Sequence, residues 1–213
     1  MARITGLLLL SGTTHAATDP VNALLTHARA APTWVTSVAD TYALERRVDA
    51  VEATGPVATD VDLLCGRWEL LATTQARGAG LLRAMRRDPA LGRVDVYQDI
   101  RRDNDNDALR LDNVITIRRD DDGWRSAWTL LSPNTRSSLV LKHAATVEGT
   151  RVRATLDGIE VDGTRVGEAP QTIAALPLPG ITGEAGVFDT TYVDGALRIA
   201  RSSDALRVFE RVS

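Results

Sequence analysis

The sequence is short of cysteine and of long apolar runs. Cys65 is the single cysteine, so no disulfide can form within the chain. The longest aliphatic run, residues 7–10, is far below the roughly 20 apolar residues that a transmembrane helix requires. We therefore expect a fold that is held together without disulfides and that has no transmembrane span.

An excess of positive charge is also missing. The chain carries 25 basic and 28 acidic residues, for a net charge of −3. Domains that bind nucleic acid usually carry a concentrated positive field, so we expect no nucleic-acid partner. Lys142 is the only lysine. We attribute this arginine bias to genome composition rather than to a recognition surface built of guanidinium groups.

Motifs for catalysis and for metal binding are absent as well. The sequence contains no G-x-S-x-G, no P-loop and no dinucleotide-binding glycine pattern. The acidic residues 103–107 resemble the start of a calcium loop, but Ala108 and Val114 occupy the positions that require glycine and glutamate. The three histidines show no metal-ligand spacing: His15, His27 and His143. We predict no catalytic residue, no metal and no cofactor.

The 213 residues divide into three predicted regions. Residues 1–18 have the outline of a short secretory signal, and a targeting remnant or a disordered end fits them equally well. Residues 19–56 are predicted to form two helices: Asp19-Pro20 begins the first, and Thr33 caps a second that extends to about residue 53. Residues 57–213 are predicted to form a β domain. We expect the first helix to pack over an open end of that domain rather than to lie on a lipid surface.

From Gly66 onward, apolar residues recur with a period of two. Ten strands are predicted: residues 67–74, 94–100, 109–118, 124–131, 139–146, 151–156, 158–161, 187–193, 197–202 and 206–212. Many short strands separated by turn signals are typical of an antiparallel sandwich or barrel. The predicted fold is mainly β, with a barrel that follows a helical segment.

Residues 187–212 give the clearest part of this pattern. Phe188, Thr190 and Tyr192 are predicted to share one face of a strand. Asp194-Gly195 then predicts a two-residue hairpin turn, and two further alternating strands follow. We expect this β-meander to close the barrel.

Gly66-Arg67-Trp68 is similar to the G-x-W signature of lipocalins. In that fold the tryptophan lies across the closed end of the barrel, and an arginine from the last strands packs over it. A planar guanidinium can stack on the indole while it bonds backbone carbonyls. Arg198 and Arg201 are the candidates for this arginine.

Three blocks resemble the plastid lipid-associated protein (PAP/fibrillin) family. The first reads LLCGRWELL at 63–71, and the second reads VYQDI at 96–100 with LDNVI at 111–115. The third, and the most specific, reads FDTTYVD at 188–194, LRIAR at 197–201 and VF at 208–209. Ala72 and Ser202 depart from the family pattern, which has an aromatic residue and a glycine there. These departures leave the ligand and the subfamily open.

The resemblance implies a lipocalin-like barrel in a plastid protein at thylakoids or plastoglobules. It implies that the protein binds or organises isoprenoid or other lipids without catalysis. A barrel that is filled and acts through protein contacts is the alternative. Trp124 and Trp128 share a strand face and, with Tyr97 and Tyr192 as polar handles, are the predicted ligand-binding residues. Filling of a closed core explains the same four residues.

A second group of residues is predicted to close the barrel structurally. Gly66 and Trp68 open its first strand, while Asp194, Arg198 and Arg201 are expected to gather at one end. The chemistry of a tight turn also accounts for Asp194. None of these five is expected to touch a ligand.

Overall fold

The computed structural model describes residues 19–31, 33, 35, 37–55, 60–74, 93–103, 108–118, 136–162, 164–168 and 186–212. Its helices are α1 (Pro20–Ala30), α2 (Val38–Glu52) and α3 (Val61–Leu64). Its strands are β1 (Gly66–Thr73), β2 (Arg93–Arg102), β3 (Leu109–Arg118), β4 (Arg136–Glu148), β5 (Arg151–Val161), β6 (Thr164–Glu168), β7 (Gly186–Val193), β8 (Leu197–Arg201) and β9 (Leu206–Val212).

Eight of the strands close into a ring. The order is β1-β2-β3-β4-β5-β7-β8-β9, with β9 pairing back to β1, and every pairing is antiparallel. We call this closed sheet the barrel. β6 pairs with the second half of β5, beyond the part of β5 that pairs with β7. The mainly β fold with N-terminal helices that the sequence predicted is confirmed.

The inner face of the barrel carries an apolar core. Its members come from strands all around the ring and include Trp68, Leu111, Val152 and Phe209. Because successive side chains alternate between the two faces of a strand, these residues show which side chains of each strand point into the barrel. The outer face is therefore left for the helices and for solvent.

The two longer helices pack against the outer wall of the barrel. Leu24 of α1 and Leu44 of α2 are buried against outward-facing residues of β8 and β9, such as Ile199 and Val208. Arg29 of α1 forms an ion pair with Glu210 of β9. The expectation that the first helix covers an open end of the barrel is thus wrong, since its apolar stripe matches the outer face of the last strands.

The second helix begins later than predicted. Ser37, not Thr33, caps α2, and its hydroxyl oxygen accepts a hydrogen bond from the Asp40 amide. Thr33 and Val35 instead bond the backbone of Thr73 at the end of β1. The loop between α1 and α2 therefore pairs with the end of β1 through two backbone hydrogen bonds.

Two further bulges, besides the one between Leu70 and Ala72 in β1, modify the predicted strands. Residues 151–156 and 158–161 form a single strand, β5, with a bulge near Asp157 rather than a break. A second bulge lies between Thr190 and Tyr192 in β7. It moves Tyr192 to the outer face, whereas Thr190 stays inside, because one extra residue reverses the alternation. The predicted strand at 124–131 lies outside the described residues.

Candidate functional site

Trp68 forms the floor of the barrel. The side chain is fully buried, and its indole Nε1 donates to the Leu64 carbonyl at 2.9 Å. Leu64 belongs to α3, the short helix that leads into β1, so the bond ties the indole to the segment beneath it. A buried indole N–H needs such a partner, and α3 supplies it.

Arg211 of β9 packs over this tryptophan. Its guanidinium carbon lies 4.4 Å from the centroid of the indole ring. Nη1 donates to the Cys65 carbonyl at 3.0 Å, and Nη2 donates to the Leu63 carbonyl at 2.6 Å. Arg211 thus makes both the stacking and the carbonyl contacts that the lipocalin likeness assigns to an arginine from the last strands.

Arg198 of β8 lies deeper in the barrel. It is fully buried, with its guanidinium carbon 4.2 Å from the Phe209 ring centroid and 5.5 Å from that of Trp68. Nη2 donates to Gln98 Oε1, and Gln98 Nε2 in turn donates to Asn113 Oδ1 at 2.9 Å. A chain of polar groups therefore crosses the interior from β8 to β3.

Two nitrogens of Arg198, Nε and Nη1, have no hydrogen-bond partner among the residues that the structure describes. Burial lowers the pKa of Arg198 to about 9, and the charge of Arg207 on β9 adds to the effect. Desolvation disfavours the charged form of a buried base, and a neighbouring like charge acts in the same direction. The interior thus holds a cation whose donors are only partly satisfied.

A pocket of about 550 Å³ lies where β1 and β2 part. Their pairing ends at Glu69 and Tyr97, although both strands continue beyond it. The loop at Thr33 takes the place of β2 beside the end of β1. The pocket is lined by four charged residues, Arg29, Glu69, Asp95 and Glu210, and by two side chains of the inner-face clusters, Leu70 and Val94. The split therefore brings two inner-face side chains next to the outer surface.

An aliphatic wall lines the same half of the barrel. Val94, Ile115 and Ile117 form one cluster, and Leu141 and Ile159 form another. Inner-face neighbours in these clusters are only half-buried: Val96, Leu139 and Leu156. A half-buried aliphatic side chain on the inner face means that solvent reaches the interior there. This wall presents a surface suited to a hydrocarbon chain.

A second pocket of about 550 Å³ lies on the outer face of β1 to β5. Charged groups dominate it: Arg67 approaches Asp99 at 3.6 Å, and Lys142 pairs with Glu160. Burial raises the pKa of Asp99, although Arg67 opposes the shift. The outer pocket does not open toward the aliphatic wall, because its lining residues lie on the opposite face of the same strands.

The chain matches one family model and resembles one solved structure. The family model PAP_fibrillin matches residues 29–210. The chain belongs to the PAP/fibrillin family. Among solved structures it resembles a lipocalin-like protein from Bacteroides uniformis, with a TM-score of 0.37 and 11% identity over 70% of this chain and 99% of the other. A search of curated proteins found no match.

Membership of the PAP/fibrillin family suggests a lipid-associated function. The family is generally associated with plastids and is generally non-catalytic. Among the residues that the structure describes, no three His, Cys, Asp or Glu side chains are placed to hold a metal ion. No helix in the described ranges is long and apolar enough to cross a membrane.

The predicted ligand-binding residues of this PAP/fibrillin protein lie outside the interior or outside the described residues. Tyr97 is on the outer face, with the guanidinium of Arg67 4.4 Å from its ring centroid. Tyr192 is also outside, where its hydroxyl donates to Asp194 Oδ2 at 2.8 Å. Neither tyrosine is placed as a polar handle in the barrel, because Tyr97 alternates with the inward Gln98 and the β7 bulge turns Tyr192 outward. Trp124 and Trp128 lie outside the described residues.

The residues predicted to close the barrel are not gathered at one end. Arg201 points outward and bonds α2, with its Nε 2.9 Å from Glu52 and its Nη2 2.8 Å from Asp49. Asp194 serves the β7–β8 turn, where Oδ1 accepts from the amides of Ala196 and Leu197, both at 2.7 Å. Only Gly66, Trp68 and Arg198 of the predicted group lie at the barrel floor or beside it.

Proposed function

We propose that this PAP/fibrillin protein is a non-catalytic plastid protein that binds or organises isoprenoid or other hydrophobic lipids at thylakoids or plastoglobules. The observation that carries the proposal is the family match over residues 29–210, and the barrel supplies the physical basis for it. Part of its inner wall is aliphatic, and the split between β1 and β2 is the proposed way in for a hydrophobic molecule. Apolar surface removed from water supplies the binding free energy.

The test is to recover the lipid itself. Protein purified from its native membranes, extracted into organic solvent and measured by mass spectrometry is expected to release an apolar lipid in near-stoichiometric amount. Recovery of none would count against lipid carriage and would favour the second candidate described below.

The proposed route can be tested on the purified protein. Ala31 lines the mouth of the pocket at the split, so Ala31→Trp is expected to slow the uptake of a fluorescent lipid severalfold. Val38 is 88% exposed on α2, and Val38→Trp serves as the matched control that leaves uptake unchanged. Equal uptake by both variants would exclude the split as the route.

A second candidate is a barrel module that acts through protein contacts and carries no ligand. The exposed pair Val38 and Tyr42 supports it, since the two residues lie one turn apart on α2 and expose 88% and 63% of their surface. In that case Val38→Asp is expected to abolish the capture of partners and to leave the lipid content unchanged.

A further inference from the structure

Arg198 makes an incomplete set of contacts for a fully buried cation. Nη2 has Gln98 as its partner, while Nε and Nη1 have none. Burying a guanidinium without a counter-charge is strongly unfavourable, and native structures seldom leave such donors unpaired. Arg211, the other arginine over Trp68, makes two carbonyl bonds, has one nitrogen, Nε, without a partner among the described residues, and belongs to the floor. Arg198 therefore has donors to spare.

The surroundings of Arg198 are positive and polar on one side. Among the described residues no carboxylate lies within ion-pair distance of it, and the charge that acts on it is that of Arg207. Ala200, two residues along β8, pairs with Arg207 on one side and with Thr190 on the other. Thr190 is buried, and within the described part of the chain its hydroxyl oxygen has no hydrogen-bond partner. Neighbouring strands thus direct polar groups into the same part of the interior.

The remaining surroundings of Arg198 are apolar. The rings of Phe209 and Trp68 flank the guanidinium. Leu70, which lines the pocket at the split, pairs with Phe209, and Phe209 pairs with Arg198. Leu70 at the split thus lies two strands away from the cation.

We propose that Arg198 binds the anionic head group of an amphiphile whose hydrocarbon chain lies along the aliphatic wall. A carboxylate would supply the missing counter-charge and would accept from the unpaired nitrogens. The inference rests on the proposed lipid-binding function and narrows it to lipids with one acidic end. A small free anion satisfies the same cation, so the test separates the two sources.

The test compares three probes on the full chain by isothermal titration calorimetry: oleate, methyl oleate and acetate. Wild-type protein is expected to bind oleate at least tenfold more tightly than methyl oleate, because only the acid carries the charge. Arg198→Gln is expected to bind oleate no more tightly than the ester, with the affinity for the ester unchanged. Arg153→Gln, on the exposed outer face of β5, makes the same change of charge and is expected to behave as wild type.

Each alternative result has a distinct meaning. Equal affinity of the wild type for acid and ester would contradict the anion site but not lipid binding. An Arg198→Gln variant that still preferred the acid would have the same meaning. If acetate competed with oleate at equal concentration, Arg198 would be a site for small free anions, and the proposal that it binds an amphiphile would be wrong. Failure of the wild type to bind either long-chain probe would contradict the proposed function as well. Even if Arg198→Gln does not fold, the ratio of acid to ester affinity in the wild type shows whether the protein prefers an anionic head group.

Discussion

Gly66 adopts a φ of +145°, a conformation that residues with a side chain rarely take. A Cβ at this position would lie 2.7 Å from Nη1 of Arg211. The glycine therefore does two things: it turns the chain from α3 into β1, and it leaves room for the guanidinium over Trp68. The G-x-W signature thus has a physical basis in this barrel, with one residue making space and the other forming the floor.

We predict that Gly66→Ala destabilises the protein by about 1–3 kcal/mol, the usual cost of a strained backbone conformation. Displacement of the flexible end of Arg211 adds a smaller term. The free energy of unfolding in urea measures the change. Gly195→Ala is the matched control, because its φ is ordinary and a Cβ there meets nothing within 4 Å. Equal stability of the two variants would show that the turn at Gly66 relaxes without cost.

His143 gives a prediction about pH. Burial lowers its pKa, while its hydrogen bond to the Leu111 carbonyl and the charges of Asp112 and Asp157 oppose the shift. A histidine with a lowered pKa in the folded state is protonated first in the unfolded chain, whose pKa is about 6.5. Its contribution to stability is therefore present above that pH and is lost as the pH falls.

We expect wild-type protein to lose stability relative to His143→Gln between pH 7 and pH 5. Chemical denaturation of both proteins at each pH gives the difference in free energy of unfolding, from which groups common to the two proteins largely cancel. Parallel pH profiles would mean that His143 is protonated as easily in the fold as outside it.

Which arginine stacks on the floor could not be read from the sequence. The signature pointed to an arginine in the last strands, which carry four: Arg198, Arg201, Arg207 and Arg211. Sequence reasoning chose Arg198 and Arg201 and missed Arg211. The choice depends on the face and the depth of each side chain. Arg198 and Arg211 point inward, and Arg201 is drawn outward to α2. Which side chains on different strands come into contact depends on the register between the strands, and the alternation within one strand does not specify that register.

At the level of elements, the strands of the barrel were largely predictable, because alternation and turn residues are local signals. β3 and β9 have the predicted bounds. The bulges near Asp157 and Thr191 were not predictable, since a bulge leaves no mark in composition. The second bulge is the reason that Tyr192 lies outside. The side of the barrel against which the helices pack was also not predictable from the sequence, because strands far from the helices in the chain form that outer wall.

The attachment of α2 gives a prediction at this scale. Leu44 is fully buried between the helices and the wall, whereas Val38 on the same helix is 88% exposed. Leu44→Ala is expected to destabilise the protein by about 2–5 kcal/mol through lost burial and the cavity left behind. Val38→Ala is expected to change stability by less than about 0.5 kcal/mol. The two urea midpoints provide the test, and similar values would mean that α2 is only loosely attached.

At the scale of the whole molecule, closure depends on one seam. β1, the first strand, pairs with β9, the last, so the ring forms only when residues far apart in the chain meet. The seam gives both β1 and β9 a strand neighbour on each side, so neither terminal strand offers an edge for aggregation along the paired residues. Helices α1 and α2 cover this seam from outside, because their core includes residues of β1, β8 and β9. The N-terminal segment therefore stabilises the joint on which the interior depends.

Hydrogen exchange can test whether the seam is permanent. β1 and β9 each have a strand neighbour on both sides, whereas β6 pairs with β5 alone among the described strands. We expect the paired amides of β1 and β9 to exchange only on global unfolding and those of β6 to exchange at least a hundredfold faster, because an edge strand opens locally. Mass spectrometry of peptides from the two regions measures both rates. If the amides of β9 exchanged as fast as those of β6, the barrel would be opening at β1–β9. A lipid would then have access through the seam as well as through the split between β1 and β2.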